Sequence, residues 1–219
     1  MHVASPARKR TPAKPGMPAE DASPDPLDIR LSHGAAVWVL SELGFQGDVT
    51  RATFNEYMKS LRKLGLPFSR ATGHRAFYSF DHLMELSLAL SLRVYNTLPD
   101  AIVPEIIRHR AALTEAYHRA YLDRAAGEGR RLRIRRSDCT ISLRGLYLDL
   151  QIVYRGGRLV SFGPPRLLDP AQALEAFAAG GGPSRAFVPI KISALAEQVV
   201  ELSRRAPQRA TNVRSLREP

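Results

Sequence analysis

Apolar residues recur at helical spacing through the first half of the chain and at strand spacing through much of the second. Over 34–43 (GAAVWVLSEL), Val37, Leu40 and Leu43 share a helical stripe beside Trp38, and Gly44 is a stop. The link from Phe45 to Val49 has turn chemistry. A second helix is predicted from about Thr50 to Leu64, because Phe54, Tyr57, Met58, Leu61 and Leu64 fall on one face. Asp48 or Thr50 can supply its N-cap oxygen. Gly65 ends it and Pro67 prevents resumption.

Residues 68–80 (FSRATGHRAFYSF) predict a small hairpin, with Gly73 at the turn and strand-favouring Phe77, Tyr78 and Phe80 after it. A third helix is predicted from about Phe80 to Tyr95 on Leu83, Leu86, Leu90 and Val94, with Asp81 near its positive end. A fourth covers about 100–125 on Ile102, Ile106, Leu113, Tyr117 and Tyr121. Pro104 fits only a first turn, so the start is expected later than Asp100.

Residues 127–136 (GEGRRLRIRR) read as a basic connector, after which the period changes. Strands are predicted over 139–144 and 146–154. Leu146, Leu148, Leu150 and Ile152 alternate with Tyr147, Asp149 and Gln151, which puts Asp149 on an exposed strand face. Gly156-Gly157 turns the chain into a strand over Arg158–Phe162, and Pro164-Pro165 stops it. A short helix over about 170–179 ends at the Gly180–Pro183 break. Residues 186–192 read as an edge strand, because Pro189 has no N–H to donate. Ser193 is the expected cap of a last helix to about Arg205.

The fold class expected is therefore α+β. A mostly helical winged helix-turn-helix domain (29–126) precedes a basic connector (127–136) and a small α+β domain (137–205) for sensing or dimerisation. The flanks, 1–28 and 206–219, are rich in Pro, Ala and mixed charge and poor in large apolar residues, so they read as disordered tails.

Charge adds a functional direction. The chain of 219 residues carries 32 Lys+Arg and 21 Asp+Glu, a net +11, which favours anionic partners. The excess is uneven. Residues 29–80 hold seven basic and three acidic side chains, and 127–168 hold nine and three, while 81–126 hold five and six. No apolar run reaches the roughly 18 residues of a membrane span, and no apolar segment follows Arg8-Lys9-Arg10, so a cytoplasmic protein with no membrane partner is expected.

The second helix carries Arg51, Asn55, Lys59, Arg62 and Lys63 away from its apolar stripe, with Glu56 as its only acid. Cations and an Asn on a short helix suit a major groove, where Asn pairs with adenine and Arg with guanine or phosphate. A solvated helix face is the alternative reading of the same residues. Arg70, His74 and Arg75 sit near the tip of the predicted hairpin, where a wing would lie along phosphates.

Gly65-Leu66-Pro67, then Arg70, Gly73, Arg75 and Tyr78, then Asp81, Leu83 and Leu86, follow one another in an order similar to MerR-type transcription regulators. The stretch from Thr50 to Ile107, about a quarter of the chain, resembles their DNA-binding domain, with Ile102 and Ile106 where that family packs its fourth helix. The resemblance implies that the second helix reads bases while Arg75 and its neighbours hold backbone phosphates. Arg51, Asn55 and Lys59 are then the base-facing candidates. With Thr50, Arg62, Arg70, His74 and Tyr78 they complete the expected DNA-binding set.

Catalytic patterns are not found. His2, His33, His74, His82, His109 and His118 include no helical metal pair, and the sequence has no Walker loop, dinucleotide loop or nucleophile elbow. Cys139, the single cysteine, reads as a small core residue, and no metal or cofactor is expected. The expectation is a non-enzymatic, sequence-specific DNA-binding transcription regulator, acting on duplex DNA as a homodimer, with an effector site in the C-terminal domain. The alternative is a winged-helix adaptor that binds protein or RNA.

Overall fold

A computed structural model describes residues 27–67, 77–93, 98–125, 131–136, 139–155, 158–179, 185–186 and 190–207. Five helices come first: α1 (His33–Glu42), α2 (Arg51–Lys63), α3 (Phe80–Arg93), α4 (Pro99–Arg108) and α5 (Arg110–Ala125). Strands β1 (Arg131–Arg136), β2 (Cys139–Arg144), β3 (Tyr147–Asp149), β4 (Ile152–Arg155), β5 (Arg158–Phe162) and β6 (Arg166–Leu168) follow. Helix α6 (Pro170–Ala179), β7 (Arg185–Ala186) and α7 (Ile192–Arg205) complete the chain. The fold class is α+β, as the change of period indicated.

Helix α3 is the centre of the molecule. Phe80, Leu83, Met84, Leu86, Leu88, Ala89, Leu90 and Leu92 are all buried, so the helix is apolar around most of its circumference. Helices α1, α4, α5 and α7 pack on it. Its N-terminus is closed by reciprocal bonds: the Ser79 N–H donates to His82 Nδ1 (3.2 Å) and the His82 N–H to the Ser79 hydroxyl (3.4 Å).

Residues 147–155 form the middle of a bent antiparallel arrangement. On one side β4 pairs with β5 and β3 with β6. On the other, β4 pairs with β7, and Leu148 exchanges two backbone bonds with Ile190 (2.8 and 3.2 Å). The bend falls at Gln151, which has φ 47°, opposite Gly163-Pro164-Pro165. Asp149 fixes it, accepting the Gln151 N–H (2.9 Å) and a 2.6 Å bond from its cross-strand partner Arg166.

Several expectations are corrected. Asp149 is buried rather than exposed, and Tyr147 is buried with it. Both faces of β3 are covered: α6 lies over Tyr147 and Leu168, and α7 also packs on β3. The predicted fourth helix is two, broken at His109, and α4 begins at Pro99 with Pro104 inside it. The missing Pro104 N–H would have served the Asp100 carbonyl in the first turn, so the loss falls near the helix end. Ser193 does not cap α7. Lys191 is the N-cap residue, and the Ser193 hydroxyl accepts the Leu146 N–H at 2.8 Å. Beside it the left-handed Gly145 (φ 75°) leaves no room for a Cβ, which would lie 2.8 Å from Ser193 Cβ. Part of the basic connector is strand β1, whose Arg-Leu-Arg-Ile-Arg alternation has period two.

The core does not stop at 127–136. One buried cluster joins Leu40, Phe54, Leu86, Ile106 and Tyr117 to Leu148, Ile152, Phe162, Ile192 and Val199. Helix α7 packs on α1, α3 and α5. Helix α4 also secures β5: Glu105, 3% exposed, accepts the Phe162 N–H (3.1 Å), and the His109 Nε2–H donates to the Phe162 carbonyl (3.1 Å). Both outward-facing backbone groups of Phe162 are thereby satisfied by side chains of the helical half.

Candidate nucleic-acid interface

Helix α2 is held by one face. Phe54, Met58 and Leu61 are buried, Leu66 beyond the helix end is buried too, and Tyr57 is half-buried beneath the Arg93 guanidinium, 4.6 Å from its ring centre. Burial pushes the Tyr57 hydroxyl up to about 12, with the Arg93 charge opposing it. The link from α1 is an ordered run of turns. Gln46 accepts from the Ser41 hydroxyl (2.9 Å) and donates to the Val49 carbonyl (3.2 Å), and Gly44 and Gly47 take positive φ. Thr50 is the N-cap, accepting the Thr53 N–H at 3.2 Å. Thr50→Ala is expected to cost about 1 kcal/mol, seen as a lower midpoint in a urea melt followed by far-UV dichroism.

Of the residues expected to touch DNA, Thr50, Arg51, Lys59 and Arg62 are exposed and Asn55 is half-exposed. Lys59 is tied to Glu56 at 2.6 Å, and this bond and charge hold the Glu56 carboxyl below its usual range. Arg51, Arg62 and Lys63 have no ion-pair partner among the described residues. Among the described residues, helix α2 thus presents three cations outside any ion pair beside one paired Lys.

Tyr78 is a correction. It is 4% exposed, pairs with Leu31 through two backbone bonds (3.0 and 2.8 Å), and shares a 3.0 Å hydrogen bond with His33 Nδ1. It straps the segment before α3 to the segment before α1 and offers no surface to a ligand. Burial first, and the Arg62 charge second, hold the His33 imidazole below its usual range. Arg62 therefore stands near this strap. Arg70, His74 and Arg75, with the predicted hairpin tip, lie outside the described residues.

The C-terminal half shares an open cavity of about 440 Å³ with α5. Leu146, Pro165 and Leu167 line it from the C-terminal half, and Glu115, Ala116, Arg119, Leu122 and Asp123 from α5. No group of three or more His, Cys, Asp or Glu able to hold a metal ion occurs among the described residues. No helix among them is long and apolar enough to cross a membrane. The sequence missed the second half's other basic feature: in the β1–β2 pairing, Arg131 stands opposite Arg144, and Arg133 and Arg135 stand opposite Ser142 and Thr140. Its signal was the period-two alternation of arginine in 131–135. In comparisons with protein-family models, curated proteins and solved structures, nothing matches this chain.

Proposed function

We propose that this protein is a sequence-specific DNA-binding transcription regulator of winged-helix type that docks α2 in the major groove of duplex DNA. The observation that carries the reading is the state of α2. One face is locked into the core, and the free surface carries Arg51, Arg62 and Lys63 without ion-pair partners among the described residues, with Asn55 beside them. A rigid helix with free guanidinium forks and an amide is chemically equipped to hold phosphates and read purine edges. Arg70, His74 and Arg75, in the segment between α2 and α3, would add phosphate contacts as a wing. The reading includes a cytoplasmic homodimer on paired half-sites, and it places the effector in the cavity between α5 and the strands.

The test is fluorescence anisotropy with the DNA upstream of the protein's own gene beside a scrambled duplex of equal composition, at two salt concentrations. A preference of about a thousandfold that survives the higher salt is expected. Equal binding to both duplexes, collapsing with salt, would reject the specific regulator.

A further inference from the structure

We infer that the β1–β2 ribbon is a second nucleic-acid contact, engaging the phosphate backbone of duplex DNA through the face that carries Arg131, Arg133, Arg135 and Arg144. The backbone pairing places these residues together. Positions directly opposite in an antiparallel pair share a face, and faces alternate along each strand. Arg131↔Arg144, Arg133↔Ser142 and Arg135↔Thr140 therefore define one face, with four arginines and two hydroxyl residues. Leu132↔Leu143, Ile134↔Ile141 and Arg136↔Cys139 define the other. Neither strand contains an acid. Helix α6, which packs against β1, contributes one, the exposed Glu175.

Three features select an anionic polymer as the occupant. The register sets position 131 directly opposite 144, and like charges so placed on a sheet are unfavourable without a counter-anion. Arginines at alternate positions repeat about every 6.7 Å along the strand, which presents a row of charge rather than one pocket. Guanidinium forks and hydroxyls are also the side chains that bond phosphate oxygens.

This inference extends the DNA-binding reading, and its test lets the two fail separately. Arg133→Thr/Arg135→Thr removes two charges while keeping strand-forming residues. Binding to a duplex of about 30 base pairs is measured by anisotropy from about 50 to 200 mM salt, beside wild type and Arg133→Lys/Arg135→Lys. Loss of two phosphate contacts should lower the salt slope by about 1.8 and the affinity at least roughly tenfold, with the Lys variant restoring both. Preserved slope and affinity in the Thr variant would overturn the ribbon contact. So would an equal loss in the Lys variant, which marks a structural role. If wild type shows no preference between native and scrambled duplexes yet the ribbon variant still lowers the slope, the ribbon contact stands and the sequence-specific reading falls.

Discussion

Glu105→Ala is expected to lower stability by about 3 kcal/mol, equivalent to a fall of about 10 °C in Tm for a chain of this size. The Glu105 carboxylate is 3% exposed and accepts the buried Phe162 N–H, while its other side holds Arg108 at 2.9 Å. Alanine removes a charge-assisted bond and leaves that N–H unpaired away from water, two costs that act together. Arg108 is exposed and loses little. Glu105→Gln keeps an acceptor oxygen of the same reach and should cost less than half as much. The measurement is a thermal melt followed by both Trp38 fluorescence, from α1, and far-UV dichroism. Because the buried cluster runs from α1 to α7, the two probes should fall together in every variant. A variant in which Trp38 keeps its wild-type midpoint while dichroism melts early would show two independent domains and would refute the coupling through Phe162.

The coupling explains which parts of the fold the sequence displayed. Helices with one apolar stripe were legible within one or two residues, α2 and α6 among them, because their burial pattern repeats along the chain. Strand β1 also had its pattern, but the density of arginine made it look like a linker. What could not be read was what covers each face. Asp149 looks solvated in an alternating strand. Only the placement of α6 over Tyr147 and α7 against β3 shows that both faces are buried. Ser193 sits where a cap is expected, yet its hydroxyl is taken by Leu146, which lies 47 residues earlier in the chain. The candidate site divides in the same way. Arg51, Lys59 and Arg62 are exposed on the face that periodicity assigned to them. Tyr78, placed by motif order alone, is consumed by the strap to Leu31 and His33.

Arg51→Ala/Asn55→Ala is expected to reduce the preference for the native over the scrambled duplex by a hundredfold or more. Each bidentate contact to a base edge discriminates by about 1–3 kcal/mol, and two such contacts separated by one helical turn act on neighbouring bases. The helix itself should survive. Arg51 is exposed and Asn55 half-exposed, neither belongs to the Phe54–Met58–Leu61 stripe, and alanine is the better helix former at both positions. Stability should therefore stay within about 0.5 kcal/mol of wild type, so a change in binding reports on recognition. Lys63→Ala supplies the contrast. Its exposed cation lies in the last turn of α2, and its loss should weaken both duplexes equally and lower the salt slope by about 0.9. The competition titration is run at fixed salt, with native and scrambled duplexes against one labelled probe. If the double variant loses affinity for both duplexes in equal proportion, Arg51 and Asn55 act on the phosphate backbone, and base reading must be sought outside α2. If it keeps the full preference, α2 does not enter the groove, and its cations belong to a solvated surface.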